Sequence, residues 1–358
     1  MPTANETARD LTIRHAVYLE RLKNGLTGGA RRRLNREILP ALQRAIIDAV
    51  GTGDLSEARN ATRRLAAIRA AIRAATQGVF GPVQDDLVAQ AQRLLQNEAK
   101  WTAMALSEAA GVTLAFNIPD ARTLNAAFRA RPFAGFTLDE WFNSLEEATR
   151  ANITRVVQQG MVEGSGVAEI ARRLRGTRAL GYTDGVLEVT RRQSEAIVRS
   201  AVTHVSSAAR QAMFDANDDI IEAFQFVATL DSRTTTLCAS LDGKVFPKNK
   251  GPRPPLHVNC RSSLLPVLKS ASEIGIKDIP ASTRASMDGA VPASTTYGEW
   301  LRGQPVSVQN SVLGKAKAKL FRDGGLKIDQ FVGKDLGELT LDQLEGLYKG
   351  AFEKAGLV

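Results

Sequence analysis

The run Ala223-Phe-Gln-Phe-Val-Ala-Thr-Leu230, then Asp242-Gly243 with Lys244-Val-Phe246, then Ser262-Ser-Leu-Leu-Pro-Val-Leu268, decides the fold class. The first run is bounded by turn signals and rich in aromatic and β-forming residues, so it reads as a strand. Asp-Gly favours a tight turn, and the short apolar segment after it returns as a second strand. Residues Ser262 to Leu268 give a third. Around this small sheet the chain carries helical periodicity. The expected class is α+β and mostly helical: a helical N-terminal region, then a C-terminal module of helices packed on a small antiparallel sheet.

Working back from the sheet, Ile197, Ala201, Val205, Ala208 and Ala212 mark one face of a long helix from about Glu188 to Asp215. Val167 to Leu174 forms a short helix, entered through the turn Gly160-Met-Val-Glu-Gly-Ser-Gly166. Trp141, Leu145, Ile153 and Val157 mark another core-facing stripe, opened by the capping-box pattern Thr137-Leu-Asp-Glu140. Before it, Asn117 to Phe136 carries Pro119, Pro132 and Gly135 and reads as a linker. Three parts follow: a helical region over 1–116, a linker over 117–136 and a module over 137–358. In the first part Leu11, His15, Tyr18 and Leu22 are spaced as on a helix, Gly28 and Gly29 break it, and Leu34, Ile38, Leu42 and Ile46 restart it with a kink at Pro40. Gly51 to Gly53 reads as a turn, with Asp54 or Ser56 as a cap. Leu65, Ile68 and Ile72, and then Leu87, Ala91, Leu94 and Leu95, give two more stripes. The tail reads as short helices at Tyr297–Gly303, Val306–Phe321 and Leu341–Ala355.

A 358-residue chain with 44% hydrophobic and 24% charged residues has the make-up of a globular protein with a substantial core. No apolar run approaches membrane-span length, and Met1 to Asp10 is too polar for a secretory signal. The expected setting is the cytosol or a particle assembled there, with no membrane partner. The net charge of +9 is uneven: residues 1–136 hold 19 Lys and Arg against 12 Asp and Glu. An excess of that kind attracts nucleic acid or an acidic protein surface, although a solvated helix exterior has the same composition. The densest cluster is Arg31-Arg32-Arg33, read at a helix start, where the dipole gives a cation no help and an external partner is favoured. A second basic set, Lys244, Lys248, Lys250 and Arg253, lies in a proline-rich loop able to meet phosphates.

The motifs of the opening stretch are Phe-Val-Ala-Thr-Leu230, Asp231-Ser-Arg233-Thr234, Cys238, Leu241-Asp242-Gly243, Val245-Phe246 and Pro254-Pro255-Leu-His257-Val-Asn259-Cys260-Arg261. This ordered set resembles the phage Mu F-like minor head proteins, the phage head morphogenesis family. The likeness runs over roughly 137–350, including Tyr297-Gly-Glu-Trp-Leu-Arg-Gly-Gln304 and Leu320-Phe-Arg-Asp-Gly-Gly325. It implies a minor protein of the capsid interior or portal vertex, acting in procapsid assembly and genome packaging or ejection, without enzymatic activity. The implied partners are the portal protein, the major capsid or scaffold protein, and double-stranded DNA. The implied location is the virion, with the host cytoplasm during assembly. Many relatives carry further cysteines where this chain has Thr235 and Ser262.

Cys238, His257 and Cys260 admit three accounts. They supply three ligands of a zinc site, with Asp231 or Asp242 as a fourth; the two cysteines form a disulfide; or the thiols are small buried hydrophobes and His257 a hydrogen-bonded core residue, with no cofactor at all. Asp231, Arg233, Asp242, Gly243, Pro255 and Arg261 read as structural: an Asp before a turn accepts backbone N–H groups and pairs with an Arg. No nucleophile elbow, phosphate-binding loop, zinc-protease helix or dinucleotide fingerprint occurs. His15 and His204 lie in helical patterns and read as packing or surface residues. Two rivals to the assembly role remain: a DNA-binding protein ejected with the genome, and a nuclease or toxin-like enzyme using His257 as acid and base with Arg233 or Arg261 on a phosphate.

Overall fold

The computed structural model describes residues 4–50, 61–111, 113–248, 250–269, 283–292 and 294–357. The turn at Gly51–Gly53 and the caps Asp54 and Ser56 lie outside these. The fold is α+β and mostly helical, as the sequence indicates. In chain order, helices α1 (Ala4–Arg33), α2 (Leu39–Val50), α3 (Ala61–Thr76), α4 (Gly81–Ala110), α5 (Ala121–Ala130), α6 (Leu138–Val162), α7 (Val167–Arg175) and α8 (Val186–Ala216) precede the sheet. Strand β1 (Ile221–Val227), helix α9 (Thr236–Leu241), β2 (Val245–Pro247) and β3 (Ser263–Leu268) follow. A hairpin of β4 (Thr283–Ser286) and β5 (Gly289–Pro292) leads to α10 (Tyr297–Arg302), α11 (Val306–Leu313), α12 (Lys315–Arg322), α13 (Leu341–Leu347) and α14 (Lys349–Ala355).

Two compact units interleave along the chain, one of residues 1–20, 94–128 and 203–358, the other of 21–93 and 129–202. This division does not follow the linear parts 1–116, 117–136 and 137–358. The supposed linker is itself structured: α5 buries Leu124 and Phe128. Asp120 caps it by accepting from the Thr123 N–H at 2.7 Å. Pro119 and Pro132 flank that helix, where proline is tolerated.

The unit of 21–93 and 129–202 is helical. Thr137 and Glu140 form the expected capping box of α6. That helix buries Leu138, Phe142, Leu145, Thr149, Ile153, Val157 and Gly160 at three- and four-residue steps. Ile153 and Val157 join Leu42, Ile68, Ile72, Ile170, Leu174 and Leu187 in one core. Full burial of Ile68 and Ile72 contributes about 1.5–3 kcal/mol each. Gly160 is needed for close approach, since a Cβ there would lie 2.6 Å from Ile170 Cγ1. Gly28 and Gly29 do not break the helix, so Arg31–Arg33 form the last turn of α1, which runs on into a further helical turn, and not a helix start. Two glycines cost about 1 kcal/mol each against Ala. Burial of Leu34, Ile38 and Leu42 beyond them outweighs that. The irregularity lies just before Pro40, which sits in the first turn of α2: Leu34–Ile38 is a π-helical turn in which Leu39 N–H donates to Leu34 O. Proline cannot donate to the carbonyl four residues back, and the wider turn absorbs the mismatch.

The other unit holds the sheet, in order β2-β1-β3 with both pairings antiparallel. Central β1 opposes Phe224 to Phe246 on one side and to Pro266 on the other. Ile221, Ala223, Phe224, Phe226 and Val227 are all buried, which fits a strand paired on both edges and covered. From residue 203 to 211 helix α8 is buried on every side, and is not the one-faced helix that its apolar stripe suggests. Three of its buried polar side chains have partners: Thr203 Oγ1 donates to Cys260 O, His204 bonds Phe128 O at 2.8 Å, and Ser206 Oγ donates to Glu98. The tail packs Tyr297, Trp300, Leu301, Phe321, Phe331 and Phe352 into a second core with Leu230 and Ala239. Two expected tail helices are each split, at Gly314 (φ 75°) and at Tyr348.

Candidate functional site

The residues singled out in the sequence meet at the end of β1. Asp231 follows the strand and makes a turn in which its Oδ1 accepts the Arg233 N–H at 2.9 Å. Its main cationic partner is Arg261, which grips both carboxylate oxygens. Arg233 approaches the same carboxylate at 3.5 Å but is three-quarters exposed. Burial pushes the Asp231 carboxyl up, but the Arg261 guanidinium outweighs this and holds it below the usual range. The Tyr297 hydroxyl donates to the Asp231 carbonyl at 2.8 Å, tying the turn to the tail.

Asp242 anchors the second turn from a fully buried position. Its oxygens accept the N–H of Ala228 (2.8 Å), the N–H of Tyr297 (2.8 Å) and both guanidinium nitrogens of Arg284 (2.9 and 3.2 Å). Neither Asp242 nor Arg284 has any exposed side-chain surface. Gly243 takes φ 80°, and its N–H donates to Phe226 O, closing β1 to β2. Pro255 is buried behind a cis Pro254–Pro255 bond in the loop leading to His257.

Cys238, on α9, meets His257 and Cys260 from that loop. Its Sγ lies 3.3 Å from His257 Nε2 and 3.8 Å from Cys260 Sγ, and the three ligand atoms fall within 4.8 Å of one another. Both cysteines are buried and unbridged; His257 is half-buried. Thr235 caps α9 and places Oγ1 3.0 Å from His257 Nε2. Ser262 also hydrogen-bonds Cys238. The two positions at which the chain departs from its resembled relatives thus both touch the cluster. Electrostatically the thiols are polarised: the Cys238 hydrogen bond and His257 lower Cys260 despite its burial, while Cys260 and burial raise Cys238. The partnership with Cys260 raises His257 against the effect of burial. Asp231 and Asp242 do not belong to the cluster among the described residues, so neither is the fourth ligand.

The basic set divides. Arg31, Arg32, Lys244 and Lys250 are exposed. Arg33 is engaged by Asp86 and Glu37, and Lys248 donates to Asp218 O at 2.8 Å. Arg253 lies 3.7 Å over the Phe224 ring and donates to Gln211 at 2.7 Å, which makes it part of the packing. Sequence reasoning missed Arg284, Glu98 and Arg210. Glu98 and Arg210 are buried and 3.8 Å apart, and His15, read as a packing residue, bonds Glu98 and stacks on Trp101 at 3.8 Å.

Residues 151–265 match the family model described as Phage Mu protein F like protein. Over that segment the chain is similar to the phage Mu F-like head morphogenesis proteins. The matched segment runs from within α6 to β3, and holds Asp231, Cys238, Asp242, His257, Cys260 and Arg261. The likeness read in residues 297–325 lies beyond it. No curated protein and no solved structure matches the chain. Among the described residues no helix is long and apolar enough to cross a membrane.

Proposed function

We propose that this protein is a non-catalytic part of the phage head, seated inside the capsid or at the portal vertex, where it serves procapsid assembly and genome packaging or ejection. The match of residues 151–265 to the Mu F-like family carries the reading. The geometry supports it: the carboxylates of Asp231 and Asp242 bond the terminal guanidinium nitrogens of Arg261 and Arg284 and nearby backbone N–H groups, as a scaffold requires. The nuclease alternative needs Arg233 or Arg261 to steady a phosphate near His257. Arg261 is committed to Asp231 instead, and Arg233 leans on the same carboxylate. Partner contacts fall to the exposed cations Arg31, Arg32, Lys244 and Lys250, which suit DNA phosphates or an acidic face of the portal, capsid or scaffold protein.

Immunoblots of purified procapsids and virions, together with a pull-down on the phage's own portal protein, test the assignment. The chain is expected in both particles and on the portal. Its absence from both particles would remove the proposal.

A further inference from the structure

We propose that Cys238, His257 and Cys260 bind one thiophilic divalent cation, zinc(II) in the first instance, at three corners of a tetrahedron whose fourth corner lies beside Thr235. Two thiolates sharing a tetrahedral zinc at about 2.3 Å stand about 3.8 Å apart, and a thiolate and an imidazole nitrogen about 3.6 Å apart. Here the sulfurs are 3.8 Å apart, and Cys238 Sγ is 3.3 Å from His257 Nε2. A disulfide would bring the sulfurs to about 2.05 Å.

The imidazole is set for the task. His257 Nδ1 donates to Val258 O at 2.9 Å, which leaves Nε2 unprotonated, 3.3 Å from Cys238 Sγ. Fixing the tautomer through the far nitrogen is how metal-bound histidines are oriented. The backbone is held as well: Cys260 N–H donates to His257 O at 3.1 Å, and Thr203 Oγ1 donates to Cys260 O at 2.9 Å. Zinc would staple α9 to the proline-rich loop and join the two segments that hold the Asp231–Arg261 pair. Thr235 Oγ1, 3.0 Å from Nε2, stands where a fourth ligand or a bound water completes the shell. This inference stands apart from the assembly role, because a chain without metal would still carry the Mu F-like segment.

The test uses the full chain, purified under reducing conditions, stripped with a chelator and titrated with zinc(II) alone or cobalt(II) alone. One ion per chain is expected, with intense tetrahedral cobalt bands, thiolate-to-cobalt charge transfer and a higher melting temperature on zinc addition. Cys238→Ser and Cys260→Ser are expected to abolish stoichiometric binding, and His257→Ala to weaken it. Thr235→Cys is expected to tighten binding and add thiolate charge-transfer intensity; this variant keeps the test decisive should the serine variants fail to fold. Failure of the folded, fully reduced wild-type chain to take up either ion would overturn the proposal. So would unchanged stoichiometric uptake by folded Cys260→Ser.

Discussion

Asp242→Ala is expected to destabilise the sheet-bearing unit by about 3–5 kcal/mol, the usual cost of removing one partner from a buried ion pair. Arg284 would keep only carbonyl acceptors, Ala228 O and Thr295 O, for a charge with no exposed surface. The N–H groups of Ala228 and Tyr297 would lose their acceptor in the same step. Replacing both members, Asp242→Leu with Arg284→Met, is expected to recover much of the loss, because the penalty comes from the orphaned charge more than from the missing attraction. Urea unfolding followed by Trp300 fluorescence, with Trp101 and Trp141 replaced by Phe, reads the midpoint. A single variant within about 0.5 kcal/mol of wild type, the range of ordinary surface substitutions, would contradict this account.

The second large effect sits at Glu98. Burial raises this carboxyl, but the hydrogen bond with His15, the charge of Arg210 and the Ser206 hydroxyl together hold it below its ordinary value of 4.5. Burial also works against the Arg210 charge, but a guanidinium stays protonated at any pH the fold tolerates. A carboxyl whose folded pKa lies below its unfolded one adds stability above the unfolded value, and that stability is lost as pH falls through the folded value. Glu98 is therefore expected to contribute fully at neutral pH and progressively less below about pH 4.5. Glu98→Gln is expected to cost about 3–5 kcal/mol at pH 7, because Arg210 stays buried without a counter-charge. The gap from wild type should narrow in acid. A gap that stays constant from pH 7 to pH 3 would show that the carboxylate charge is not what matters.

Elements that announce themselves within a few residues were legible in the sequence. The Thr137–Glu140 box, the α6 stripe and the Asp242-Gly243 turn each depend on neighbours, and the structure has all three, with Phe142 buried in the stripe where Trp141 was expected. Short elements were not. The six residues of α9 and the four-residue strands β4 and β5 are too brief to show a period. Nor could sequence reveal pairings set by the tertiary fold. Nothing around Arg284 points to Asp242, 42 positions away, and Glu98 meets Ser206 across 108. At the candidate site, the residue types of Cys238, His257 and Cys260 were enough to nominate a cluster. The preference of Asp231 for Arg261 over nearby Arg233 was not legible, because a neighbour in sequence cannot match the two-pronged geometry that the returning loop supplies. Arg31–Arg33 were misplaced for a related reason: local glycine signals suggest a helix end, and buried residues farther along override them.

The assembly role is tested most directly by infecting cells with phage lacking this reading frame and counting complete, infectious heads, with the full-length chain supplied in trans as control. The expected result is a loss of infectious heads that the supplied chain restores. A normal yield of infectious particles without the chain would contradict it.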